Sequence, residues 1–428
     1  MSKLETKDFA LGIQHLLAMF GATVLVPLIT GLSPAVALLT AGLGTLLFHL
    51  CTKGMVPVFL GSSFAFIPAL CAVIGGDASK IPLAQGGVIV AGLLYVIFAI
   101  LTKVIGSDII RKIFPPVVTG PVIIIIGLSL TGPAIKDVFD LWGGDIAATG
   151  VTTNHLCNAA IAIFTFAIMA IGMNRSKGFW KLIPILIAVL CGYALCVILH
   201  LCGLYKMNFA AIANAPWINI PYKTPGFLSL PKFAITPILT IAPVAIVTFM
   251  EHLGDITTNG AVVGKDFFKD PGLHRTLLGD GLATALAGFF GGPSNTTYSE
   301  NTGVLATTGN YNPAVLRLAA YFAILLAFLG KFGAFLQTIP VPVKGGVELM
   351  LFGMIAAIGI RTIVEAKLDM TNNRNLCIMA ATLCSGIGLV IIGGLPLKIG
   401  GVDVNLSALF IATIIGVIMN LVIPEKKD

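Results

Sequence analysis

Four ionisable residues, Glu251, His252, Asp255 and Glu300, stand in stretches otherwise apolar enough to sit in a bilayer. Charge at membrane depth is costly, so each is a functional candidate by default. Glu251 and Asp255 lie four apart in FMEHLGDITTNG, at the expected end of an apolar span, and a helix puts both carboxylates on one face. Two neighbouring carboxylates repel when both are charged. Such a pair suits a group that is neutral in one state and charged in another, as proton-coupled transport requires. His252 is about 100° further round the helix and need not face the same cavity. Glu300 belongs to SNTTYSENTGVLATTGN, a polar stretch between AGFFGG and LAAYFAILLAFLG.

Other residues carry weaker signals. His15, in LGIQHLLAMFGATVLVP, reads as a structural hydrogen-bonding residue. Glu348, in GGVELMLFG, is a candidate gate residue, although a carboxylate at a span's start is often solvated. Phe64 and Tyr298 are placed to flank a flat heteroaromatic ligand. The eight cysteines form no CxxC pair and mostly fall in apolar runs, where they act as small hydrophobes, so neither a disulfide framework nor a metal site is indicated. No Walker P-loop, GxSxG or HExxH occurs, which argues against ATP-driven transport within this chain and against hydrolysis.

The elements that must position these residues follow from composition. Of 428 residues, 57% are hydrophobic and 11% charged. Soluble domains carry about a quarter charged residues, so an ordinary soluble enzyme is excluded. Apolar runs long enough to cross about 30 Å of hydrocarbon recur along the chain, which marks an all-α polytopic membrane protein. The net charge of +7 is scattered through short loops, with no basic stripe for nucleic acid. The amino terminus lacks signal-peptide features.

Fourteen spans are expected. Spans one to seven cover 9–30, 34–51, 58–75, 86–105, 114–135, 156–173 and 182–203; spans eight to fourteen cover 233–257, 276–291, 294–310, 315–339, 346–360, 376–394 and 406–423. The halves are 1–204 and 233–428, joined by an outward loop at 205–232. If both termini are cytoplasmic, 18 of the 26 basic residues fall on the cytoplasmic side. They include Lys3, Lys53, Lys181, Arg317, Lys426 and Lys427. Seven spans per half reverse the second half, giving a 7+7 inverted repeat, a plan common in secondary transporters. Spans three and ten, VFLGSSFAFIPAL and PSNTTYSENTGVLA, are then interrupted at matching places, which points to a substrate site near the midplane. Non-helical backbone there must be buried in protein or line a polar cavity. Half-helices starting near Phe64 and Glu300 would aim their positive ends at an anion or a carbonyl oxygen.

Glu300-Asn301-Thr302-Gly303, four residues to Thr307, then Thr308-Gly309, matches the signature of the nucleobase–ascorbate transporter family. QHLLAMFGATVLVP, LGSSFAFIP, the MEHLGD turn and DPGLHRTLLGDG also resemble that family, and within it the bacterial uracil permeases. The resemblance covers nearly the whole chain. It implies short antiparallel strands in spans three and ten, with a core of spans one to four and eight to eleven and a gate of spans five to seven and twelve to fourteen. It further implies a uracil importer of the bacterial inner membrane, surrounded by lipid, often paired as a homodimer and working by an elevator-like movement.

By that similarity Glu251 and Glu300 accept the ring N–H groups of uracil, and backbone amides at Phe64 and Ser299 donate to its carbonyls. Glu251 with Asp255 handles a coupling proton, with sodium left open, and Asn301, Gly303, Thr308 and His15 support the site. Asp255 stands where some uracil permeases carry His, and Ser299 where some relatives carry Gly. No cofactor is implied. A carrier of xanthine, uric acid or another purine is the main alternative on this fold, and an anion exchanger or channel the alternative of another class.

Overall fold

Inside hydrocarbon every backbone N–H and C=O must find a partner within the protein, so the apolar runs fold as helices. A computed structural model describes residues 6–141, 152–178, 180, 183–220, 226–399 and 402–423. Lys3, Lys181, Lys426, Lys427 and residues 221–225 of the long loop lie outside the described residues.

In chain order the elements are α1 (Thr6–Thr30), α2 (Pro34–Cys51), β1 (Leu60–Ser62), a 3₁₀ turn (Phe64–Phe66), α3 (Ile67–Ile74) and α4 (Ile81–Ile105). Then come α5 (Ser107–Ile113), α6 (Pro116–Ser129), α7 (Thr131–Phe139), α8 (Thr153–Arg175), α9 (Pro184–Leu201) and α10 (Ala210–Asn214). The second half holds α11 (Ile235–Ile241), α12 (Val244–Val263), α13 (Leu273–Phe290), β2 (Asn295–Thr297), α14 (Ser299–Thr308), α15 (Pro313–Ala327) and α16 (Gly330–Gln337). It ends with α17 (Val341–Glu365), α18 (Asn373–Ile391), β3 (Leu395–Ile399), β4 (Val402–Leu406) and α19 (Ala408–Val422). Among the described residues, nine helical stretches are long and apolar enough to cross a membrane, and Phe64–Ile74, Pro313–Ala327 and Ala408–Val422 are shorter apolar helices. The chain is a multi-pass, predominantly helical membrane protein.

Local signals explain many ends. Pro34 sits in the first turn of α2, where its missing N–H costs nothing, and Ser33 caps the helix by accepting from the Val36 amide. Four departures from the sequence reading matter. The eighth span breaks at Ala242–Pro243 and continues to Val263 rather than ending at Thr257, so Glu251 and Asp255 lie mid-helix and not at a wet end. The fifth span divides between α6 and α7 at Leu130. The eleventh ends at Ala327, with α16 as a separate helix. A hairpin, Leu395 opposite Leu406 and Ile399 opposite Val402, occupies a connection read as plain loop. Its signal was present, since Leu395, Leu397 and Ile399 alternate with other residues and Gly400-Gly401 follows.

Two compact units result. The first comprises Met1–Ile126, Pro221–Ala327 and Ala356–Asp428, and the second Gly127–Ile220 and Phe328–Ile355. In the first, α4 packs on α13, α2 packs on both α15 and α13, and α1 packs on α15. Small residues allow these crossings: Gly281 lies against Gly92 and Tyr95. In the second, α8 packs on α9 and on α7.

A Cβ at position 281 would meet the Tyr95 Cβ and the Gly92 carbonyl oxygen. Gly281→Leu is therefore expected to destabilise the protein by about 1–3 kcal/mol or more. A lowered melting temperature and a lost monodisperse chromatographic peak would report it; unchanged melting would contradict the crossing.

Candidate functional site

The two interrupted spans meet as strands. β1 pairs antiparallel with β2, Leu60 opposite Thr297, Gly61 opposite Thr296 and Ser62 opposite Asn295. The ladder extends at both ends, as the Ser63 amide donates to the Ser294 carbonyl (2.8 Å) and the Tyr298 amide to the Phe59 carbonyl (3.0 Å). All six strand residues are buried. The strands lie where the family resemblance implied them.

Side chains from surrounding helices complete the hydrogen bonding. Thr45 of α2 accepts from the Leu60 amide at 2.9 Å. Asn295 Nδ2 donates to the Thr40 carbonyl (3.1 Å) and the Ala283 carbonyl (3.3 Å), and Thr284 donates to the Asn295 carbonyl (2.9 Å). Tyr298, expected to flank a flat ligand, is buried with its ring over Gly61, where a Cβ would strike it. Its hydroxyl donates to the Ser62 carbonyl (2.8 Å) and accepts from Thr23 (3.3 Å). Phe64 is buried at the start of the 3₁₀ turn. Neither that turn nor α14 has a side-chain cap at its N-terminus.

The carboxylates come to the strands from α12 and α14. Thr297 donates to Asp255 Oδ2 at 2.6 Å, and Ser299 donates to Asp255 Oδ1 at 2.5 Å. Glu251, one turn earlier, is half-buried, and its Oε2 has no hydrogen-bond partner. Glu300, in the first turn of α14, is exposed, as is Ser299. Glu251, Asp255 and Glu300 are close enough to act on one another through their charges. Gly303 lies on the same exposed side of α14, one turn on from Glu300.

Support comes from behind these helices. His252 turns away from Glu251: Nδ1 lies 2.9 Å from Asp280 Oδ2 and Nε2 lies 3.0 Å from Thr276 Oγ1, on α13. The His252–Asp280 pair is 0% exposed on both sides. Asn259 donates to the Pro57 carbonyl (3.0 Å) and to Thr302 (3.1 Å), tying α12 to both broken spans. Asn301 Nδ2 donates to the His15 carbonyl at 2.9 Å and lies 3.2 Å from its Nδ1, which fixes α14 to α1. Thr308 is half-buried at the end of α14 and donates to the Val304 carbonyl within the helix. Glu348 is elsewhere, buried in the second unit rather than solvated.

Sequence reading did not single out Asp280, Asn259, Thr297, Thr23 or Thr45. Asp280 was open to detection, as a carboxylate inside an apolar span. The threonines were not, because a hydroxyl in an apolar run carries no positional signal.

Buried side-chain atoms without a hydrogen-bond partner gather here. Of eleven such atoms among the described residues, six belong to Ser63, Glu251, Asn259, Asn295, Thr296 and Asn301. Buried polar atoms rarely stay unpaired, and this concentration sets the surroundings of the paired strands apart as a polar region.

Solved structures share the fold. The transmembrane domain of a cyanobacterium bicarbonate transporter, BicA, matches with a TM-score of 0.65 at 16% identity, over 97% of each chain. SLC26A9 matches with a TM-score of 0.67 at 12% identity, over 97% of this chain and 64% of that one. The protein thus has the fold of a membrane transporter. A family model, Xan_ur_permease, described as Permease family, matches residues 6–393. A probable uracil permease of Pasteurella multocida strain Pm70 is 42% identical over 425 residues, 99% of this chain and 95% of that protein. The uracil permeases of Bacillus subtilis strain 168 and Escherichia coli strain K12 are each 40% identical. Their matches cover 97% and 96% of this chain and 92% and 90% of their own. The chain belongs to the nucleobase–ascorbate transporter family, and it is a permease, not an enzyme.

Asp255 accepts two hydroxyl hydrogen bonds at the junction of β2 and α14. Hydrogen bonds to a charged group contribute about 1.5–3 kcal/mol. Asp255→Asn is expected to loosen that junction and raise amide hydrogen exchange over residues 294–303, with little change over α2. Unchanged exchange there would show that the carboxylate does not hold it.

Proposed function

We propose that this permease imports uracil by proton symport. The observation that carries the reading is the unpartnered, buried Glu251 Oε2 beside paired strands, on a chain whose relatives named above are uracil permeases. Along one edge uracil alternates N–H donors with carbonyl acceptors. Glu251 and Glu300 supply acceptors for the ring N–H groups, and the backbone amides that open the Phe64 turn and α14 at Ser299 supply donors for the carbonyl oxygens. Phe64 closes over the ring, while Tyr298 braces the strands from behind. Asn301, Gly303, Thr308 and His15 hold α14 in place.

Glu251 and Asp255 share the coupling role. Two carboxylates one turn apart titrate as a pair, so proton and solute occupancy are linked, with Asp255 held by its two hydroxyl donors. Sodium is the alternative coupling ion. Transport proceeds by movement of the family's core, which carries both broken spans, against its gate. The protein sits in a bacterial inner membrane with both termini cytoplasmic, and pairs as a homodimer.

Packing within the first unit supports the 7+7 inverted repeat. Shifting every span number by seven exchanges the α4–α13 crossing (spans four and nine) with the α2–α15 crossing (spans two and eleven). The same shift maps β1–β2 onto itself and α1–β1 onto α12–β2. All of these contacts are present.

Labelled uracil uptake into proteoliposomes with an imposed proton gradient tests the reading. Accumulation is expected to collapse when the gradient is dissipated and to be competed by uracil far better than by xanthine or uric acid. Glu251→Gln and Glu300→Gln are each expected to reduce uptake by about tenfold or more, as one charged hydrogen bond is lost. Accumulation that survives loss of the gradient would overturn proton coupling, and stronger competition by purines would move the substrate to that class.

A further inference from the structure

The second unit buries a charged group of its own. Asp137 lies near the end of α7, while Lys344 and Glu348 stand one turn apart on α17. Lys344 Nζ is 3.6 Å from Asp137 Oδ2. Glu348 is 1% exposed, its carboxyl lies within hydrogen-bonding reach of Asp137, and its Oε1 is buried with no hydrogen-bond partner. Close backbone approach brings the three together. A Cβ at Gly345 would meet the Val138 amide nitrogen and the Asp137 carbonyl carbon, so only glycine lets α17 lie this near α7.

Two carboxylates here face one lysine. Neither carboxylate has a hydrogen to offer the other unless a proton lies between them. Two like charges in contact away from water cannot both persist. Among the described residues, the surroundings supply no second buried cation. Lys136 and Asp140, on and just after α7, are exposed. The buried polar residues of α8 are the uncharged Asn158 and Thr165, and His155 belongs to the capping box at that helix's start. Lys331 on α16 is spent on the Ile212 and Ala213 carbonyls.

We propose that Asp137, Glu348 and Lys344 form a proton-holding site that latches α17 to α7, with one proton shared by the two carboxylates and the lysine balancing the remaining charge. The basic-residue pattern places the end of α7 and the start of α17 on the outward side, so this proton exchanges with the outside medium. Its loss leaves an unbalanced buried charge and weakens the latch, which makes the stiffness of the second unit depend on external pH. Nothing in this site depends on which solute is carried.

Melting of the purified full-length protein in detergent, from mildly acidic to mildly alkaline buffer, tests the latch. Glu348→Gln keeps an N–H donor toward Asp137 and adds no charge. The wild-type melting temperature is expected to fall more steeply with rising pH than that of this variant. Infrared difference spectra are expected to show a protonated-carboxyl band in the wild type that is weaker in Glu348→Gln. Should that variant fail to fold, Asp137→Asn leaves a single carboxylate beside Lys344 and is expected to give the same shallower profile. Equal pH slopes in wild type and variant, or no loss of carboxyl-band intensity on Glu348→Gln, would overturn the proposal.

Discussion

The structure turns on one constraint: two helices are interrupted at membrane depth, and the backbone freed by each interruption is paired by the other. A lone strand in hydrocarbon would leave several amides and carbonyls unpaired, each costing several kcal/mol or so. β1 and β2 remove most of that cost by pairing. Thr45, Asn295, Thr284 and Tyr298 remove much of the rest by bonding strand backbone or fixing the strands to α2 and α13. Neither interruption can exist without its partner. The helices that bring distant parts of the chain together, α2 on α15 and α4 on α13, are thus a precondition for the site.

The same logic divides α12 into two electrostatic faces. On one, His252 and Asp280 are hydrogen-bonded in full burial and tie the helix to α13, with Asp280 Oδ1 left without a partner. On the other, Glu251 and Asp255 face the strands with part of their hydrogen-bonding capacity open. A buried charge needs a partner of opposite sign or a donor, and on the first face Asp280 Oδ2 lies against the His252 ring, which also contacts Thr276. The second has hydroxyl donors for Asp255 and none for Glu251 Oε2. One helix thereby carries a buried pair bonded to α13 and a second pair that faces the strands with an acceptor of Glu251 unpaired.

Much of this was legible from residue order because bilayer physics is severe. Span limits such as Pro34–Cys51 follow from apolar length and a proline at the first turn. Interruptions at 58–75 and 294–310 were visible as polar residues where lipid tolerates few. What sequence hid was three-dimensional satisfaction. Tyr298 reads as an aromatic beside a polar turn, and only the Gly61 backbone opposite shows that its ring is a brace. Glu348 reads as a carboxylate at a span's start, because nothing local announces Asp137 about 200 residues away across the packing of α7 against α17. The β3–β4 hairpin was missed for the opposite reason. Its period-two pattern sits in a connection between spans, where hydropathy over a long window averages five-residue strands away.

Shared architecture leaves the choice of cargo to a few side chains. Interrupted helices pointing their N-termini inward present positive partial charge, which by itself favours an anion. Solved structures of this fold include the transmembrane domain of a bicarbonate transporter. In this chain Glu251 and Glu300 stand beside the same kind of termini, and a small anion brought there would meet like charge wherever either is ionised. A neutral solute that offers N–H donors to the carboxylates and oxygen acceptors to the amides meets no such penalty. In the proposed reading the carboxylates act twice, accepting from a flat amide-like ring and, when charged, repelling the anions that an unmodified pair of helix ends would admit.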